Sequence, residues 1–161
     1  MVDRYFYFIT MIEQILMASE IYIKYEPKVR PLSRPKIQSP EDAYLQCLYF
    51  LGLDNLTIKE EAVVLFLNRG NRVLGGYKVS SGGITATVVD IRIILAIALK
   101  CLASGIILAH THPSGEINPS HADKVLTLKL KEASKMMDIS LLDHLIITSE
   151  SYYSFADEGV I

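Results

Sequence analysis

The chain has 161 residues, 50% hydrophobic and 21% charged, enough for one α/β core and too few for two domains of ordinary size. Its formal net charge of -2 excludes a global cationic field of the kind that drives nonspecific binding to nucleic-acid backbones. Its two cysteines, Cys47 and Cys101, each lie in an apolar helical pattern and read as small buried hydrophobes, which excludes a disulfide framework or a cysteine zinc knuckle and fits a reducing, cytoplasmic setting.

Residues 1–18 hold an apolar run broken by Glu13 and Gln14, too short for a membrane span and poor as a secretion signal. Two readings stay open: an extension packed on the domain, or a start placed too early, with Met17 standing just before the first convincing strand. That strand is "SEIYIKYE", residues 19–26, where Ile21 and Ile23 alternate with polar or long residues. The prolines of "PKVRPLSRPK" then impose an extended crossing segment. Lys24, Lys28, Arg30, Arg34 and Lys36 make residues 22–36 the best local candidate for a DNA contact, although a solvated linker with basic residues for solubility is the better account of so short a run.

In "SPEDAYLQCLYFLG", Ser39 can cap, Pro40 suits the first helical position, Asp42 completes a capping box and Gly52 stops the helix, which predicts a helix over residues 40–51. "EEAVVLFLNRGNRVLGGYKVS" predicts a hairpin turning at Asn68 to Asn71. "AVVLFL" is apolar at every position, as in a central strand covered on both faces. After the short extended "SSGGITATVVD" comes "DIRIILAIALKCLASG", a capped and almost continuously apolar helix that belongs inside. "IILAH" is a strand ending at His110. "SHADKVLTLKLKEASKMMD" is an amphipathic helix with Ala122, Leu126, Leu130, Ala133 and Met137 on one stripe, and "ISLLDHLIIT" and "SYYSFAD" are the last two strands. The order predicts an α/β fold with a mixed central β-sheet between helices.

Three of the four histidines fall in "LAHTHPSGEINPSHADKVL". His110 and His112 are two apart at a strand end, so both imidazoles point to one side and can converge on one ion. Pro113 ends the ladder, and Ser120 opens a helix that places Asp123 one turn inside, within reach of the two imidazoles. Two nitrogens and one oxygen are three protein ligands, the count of a catalytic zinc site that leaves a fourth position to solvent. Taken alone, S-H-A-D is more simply a capping box, and an H-x-H pair often only hydrogen-bonds.

Taken together, His110-x-His112, Ser120 and Asp123 resemble the H-x-H-x7-S-x2-D motif of the JAB/MPN metalloproteases, the JAMM motif. "AHTHPSG", "VVLFLNRGNRVLG", "SSGGITATVVD" and "LLDHLIITSESYYSFADEGVI" are similar to the RadC branch, bacterial proteins labelled as DNA repair factors, over residues 19–161. The resemblance implies a JAB/MPN, cytidine-deaminase-like sandwich and a zinc-dependent peptidase or isopeptidase. Zn2+ would be held by His110, His112 and Asp123, with Glu60 as general base on a water and Ser120 hydrogen-bonding the developing oxyanion. Glu60 is chosen over Glu61 by alignment of "VLFLN", because Glu61 would point to the opposite face.

His121, Thr111 and His144 are other candidates near the motif. They are expected to be an exposed helix histidine, a substitution of little effect on metal binding, and a partly buried strand histidine satisfied by hydrogen bonds. The helix-hairpin-helix segment of longer RadC proteins has no counterpart in residues 1–53, which weakens the alternative of a DNA-associated accessory protein with a non-catalytic zinc site. A zinc nucleobase deaminase is excluded because the chain lacks H-x-E and P-C-x-x-C. The substrate, a peptide or protein, and the oligomeric state are not encoded in any motif.

Overall fold

A computed structural model describes residues 25–54, 56–82 and 89–161. The N-terminal extension and most of the first expected strand lie outside these residues, as does the centre of "SSGGITATVVD". After a 3-10 turn at Pro31–Ser33, the described elements are α1 (Pro40–Leu51), β1 (Glu61–Leu67), β2 (Val73–Ser81), α2 (Ile91–Lys100), β3 (Gly105–Thr111), α3 (His121–Lys135), β4 (Ser140–Ile147) and β5 (Tyr152–Ser154). The strands form one mixed sheet in the order β2-β1-β3-β4-β5. Among the described strands only β3 and β4 pair in parallel, as a helical crossover through α3 requires.

Alternation along β1 divides the core into two layers. Val63, Leu65 and Leu67 pack with Ala43, Cys47 and Leu51 of α1, whereas Val64 and Phe66 pack with Ile94 and Ala98 of α2 and Leu130 of α3. Every residue of β1 and β3 is buried, which is why these two strands are almost continuously apolar. α1 is built from purely local instructions: Ser39 Oγ accepts from the Asp42 amide, the Asp42 carboxylate returns the bond to the Ser39 amide, and Gly52 at φ 80 ends the helix.

Two expectations about the other helices are corrected. α2 is not interior throughout; only Ile94 and Ala98 are sealed, and Ile93 and Leu99 are 42% and 49% exposed, because a helix in an outer layer buries a single stripe. In α3 the sealed residues are Thr127, Leu130 and Ser134, while Ala122 and Met137 are exposed. Two small polar side chains at the centre of the contact displace the apolar stripe read from sequence by about one position.

β4 carries one extra residue. Ile106 faces Leu141 but Ile107 faces Asp143, so Leu142 is a bulge. Gly105 makes room for it, since a Cβ there would stand 2.8 Å from Leu142 Cδ1. The bulge reverses the facing of everything after it, which turns His144 toward α3 and Leu145 toward α1.

Candidate metal centre

β3 delivers His110, and His112 follows one residue beyond the strand. The His112 amide still donates to the Ile147 carbonyl of β4 at 2.8 Å, so the alternation persists and both imidazoles emerge on one side. Gly115, at φ 80, then turns the chain in the left-handed region that a side chain would strain. The turn also orients a ligand: His112 Nδ1 is 2.7 Å from the Glu116 carbonyl oxygen. A carbonyl only accepts, so His112 carries its proton on Nδ1 and keeps the Nε2 electron pair for the site.

The first turn of α3 supplies the carboxylate. Ser120 Oγ accepts from the Asp123 amide at 3.2 Å, and Asp123 Oδ2 accepts from the Ser120 amide at 2.7 Å. The capping box and the metal-site geometry therefore coexist, because the remaining oxygen, Oδ1, stands 3.1 Å from His110 Nε2. Burial alone would raise the Asp123 pKa, but the contacts with His110 and Ser120 outweigh it and hold the carboxyl well below the usual range, so the group is an anion.

His110 Nε2 and His112 Nε2 are 3.0 Å apart, and the ligand atoms offered by His110, His112 and Asp123 all lie within 4.8 Å of one another. A tetrahedral ion with bonds of about 2.0–2.1 Å needs ligand atoms roughly 3.3 Å apart, which small rotations here would supply. The two nitrogens and one oxygen are a donor set suited to a divalent transition metal, so these residues could hold a metal ion. They open into a cleft of about 440 Å³ that is also lined by Glu60, Ser114, Glu116 and Ser120.

Glu60 and Glu61 go to opposite faces. Glu60 lines the cleft, while Glu61 is buried on the other side against Lys59 and Lys78, each 2.9 Å away, with Ser81 Oγ donating at 3.1 Å. Thr111, between the two histidines, clamps this region: its hydroxyl accepts from the Glu61 amide at 2.9 Å and donates to the Lys59 carbonyl at 3.1 Å. The Glu60 carbonyl accepts from the Gly82 amide at 2.9 Å, so the backbone of Glu60 is held from both sides.

Burial would raise the Glu61 pKa, but the bonds from Lys78, Lys59 and Ser81 win and lower it from the ordinary 4.5. The stability it contributes is therefore complete above that value and is lost as pH falls through the lower folded pKa. Glu61→Ala is expected to cost about 1–2 kcal/mol in urea unfolding at pH 7, because the partly exposed lysines regain water, while leaving metal uptake unchanged. Equal stability of the two proteins at pH 7 would remove Glu61 from the list of residues that hold the strand start.

His144 is fully buried rather than partly so, and it is not a fourth ligand: its Nε2 lies 2.9 Å from His110 Nδ1 and its Nδ1 lies 2.6 Å from Thr127 Oγ1. Burial first, then the neighbouring His110, pushes its pKa well below the ordinary value, so the ring is neutral. Sequence reasoning did not single out Thr127; the one available sign was a threonine interrupting the apolar face of a helix. His121 is exposed, as are Lys28, Arg30 and Lys36 of the basic segment. No helix among the described residues is long and apolar enough to cross a membrane.

An α/β sandwich with an H-x-H pair at the end of β3 and just past it, faced by the capped start of a helix that brings an aspartate, is the architecture of a JAB-type domain. A family model described as RadC-like JAB domain matches residues 37–160. The chain belongs to that family.

It is 46% identical over 129 residues to a UPF0758 protein of Flavobacterium johnsoniae, covering 80% of this chain and 55% of that one. A UPF0758 protein of Chlorobaculum parvum is 38% identical over 78% of this chain and 55% of its own length. One of Clostridium perfringens is 36% identical over 92% of this chain and 63% of its own. The chain thus spans little more than half the length of the first two of these relatives.

Proposed function

We propose that this domain is a zinc-dependent hydrolase of amide bonds, a peptidase or isopeptidase of the JAMM type. The observation that carries the reading is the convergence of His110, His112 and Asp123 at the floor of a cleft that Glu60 and Ser120 also line. Bound to those three side chains, zinc supplies Lewis acidity, bringing the pKa of a water near 7 and polarising a carbonyl oxygen.

The chain's own residues do the rest. Glu60, fixed through its backbone by Thr111 and Gly82, takes a proton from the attacking water and returns it to the departing amine nitrogen. Ser120 spends its oxygen lone pair on the helix cap, which leaves its O–H proton to donate to the carbonyl oxygen as negative charge builds there. The capping box holds that hydroxyl in advance, the condition under which such a donor lowers a barrier.

Metal analysis tests the reading directly. The purified protein is expected to carry, or take up when zinc is offered, about one zinc per chain. A protein that does neither ends the hydrolase reading. A peptide-library cleavage screen then defines the sequence around the scissile bond.

A further inference from the structure

We propose that Thr127 and His144 form a positioning relay that sets the tautomer of His110, keeping its Nε2 electron pair directed at the metal centre. The inference rests on the reading of His110 as a ligand, and it follows from counting protons along three hydrogen bonds.

Thr127 Oγ1 lies 2.6 Å from the Asp123 carbonyl oxygen, one helical turn back. A carbonyl can only accept, and a hydroxyl has one proton, so that proton is committed to Asp123. Toward His144 Nδ1, also 2.6 Å away, the same hydroxyl can therefore only accept, which places the His144 proton on Nδ1. The His144 ring has no exposed surface and stacks on Phe155 at 4.8 Å and 10°, so it is a neutral imidazole with one proton. Its Nε2 is then bare and accepts from His110 Nδ1 at 2.9 Å. His110 thus carries a proton on Nδ1, which leaves Nε2, the nitrogen facing His112 Nε2 and Asp123 Oδ1, as the one that gives its electron pair to a metal.

The relay begins and ends on Asp123, whose carbonyl sets the direction of the proton chain and whose carboxylate completes the site it prepares. Asp143 holds the relay's strand in place: its Oδ1 accepts from the amides of His144 at 2.7 Å and Ala156 at 3.0 Å, and its Oδ2 from Ser154 Oγ at 2.7 Å, which seats Phe155 against the His144 ring. The reverse chain would have Thr127 donating to His144 and His110 presenting an N–H to the metal centre. It would leave two oxygens 2.6 Å apart with no proton between them.

The test combines nitrogen-15 NMR of the histidine rings with zinc and cobalt titrations of wild type, Thr127→Val and Thr127→Ser. In the wild type, with or without metal, His144 is expected as the Nδ1–H tautomer. Thr127→Val keeps the volume but removes the acceptor, so His144 is expected to shift to Nε2–H and zinc affinity to fall about 10–100-fold, the usual effect of losing a partner of a ligating histidine. Thr127→Ser restores both. A packing role alone predicts the opposite ranking, with valine tolerated and serine worse.

Wild-type His144 protonated on Nε2 overturns the relay, whether or not the variants fold. So does a Thr127→Val protein that binds zinc as tightly as wild type. If the wild type binds neither ion, the hydrolase reading fails while the tautomer measurement still decides the relay.

Discussion

Glu60→Gln is expected to leave the fold and the zinc content intact and to lower amide hydrolysis by about 10²–10⁴-fold, the range for loss of a general base. Glutamine has the shape of glutamate and none of its basicity at neutral pH. Because Glu60 lines the cleft but is not among the three clustered ligands, the exchange removes proton transfer and leaves the donor set. Zinc analysis and peptide-library cleavage on the same preparations check both halves. Undiminished turnover would take Glu60 out of the mechanism, and loss of zinc together with turnover would make it a ligand.

His112→Ala is expected to abolish the stabilisation that zinc confers. At free zinc about 100-fold above its dissociation constant, the wild type gains roughly 2.7 kcal/mol, which raises Tm by about 5–10 °C for a domain of this size. His112 sits past the end of β3, in the cleft lining and outside both apolar clusters, so its removal costs little core packing and the missing shift reports the metal directly. His121→Ala, at an exposed position on the same helix start as Asp123, is expected to keep the full shift. Differential scanning fluorimetry of the three proteins with and without zinc decides the matter; a His112→Ala protein that keeps the whole shift would exclude His112 as a ligand.

Local chemistry made some elements legible and hid others. α1 was readable because Ser39, Pro40, Asp42 and Gly52 write its two ends within fourteen residues, with no help from the rest of the chain. The β1–β2 hairpin was readable for the same reason, since Asn68 and Gly70 turn the chain between two strand-forming arms. α2 was misjudged because an apolar composition says how much surface can be buried, not how many neighbours will come to cover it. The stripe of α3 was misplaced because Thr127 and Ser134 are polar by composition, yet both are fully buried. Hydrogen bonds satisfy them there, Thr127 to Asp123 and His144 and Ser134 to the Lys131 carbonyl, a pairing that residue type alone cannot announce.

The convergence of the candidate metal-site residues was legible in their spacing along the chain. His110 and His112 share a side because a strand has period two, Asp123 lies one turn inside a helix that Ser120 starts, and Glu60 and Glu61 part company by the same alternation. These are short-range consequences of backbone geometry, so they could be read before any packing was known. The arrangement around His110 could not. His144 reaches it only because Leu142 bulges out of β4 beside Gly105, and a shift of one residue there would have turned His144 into the α1 layer and left Nδ1 of His110 without its partner. Which face a residue takes after a bulge depends on how two strands and a helix fit together, and that fit exists only once the chain has folded.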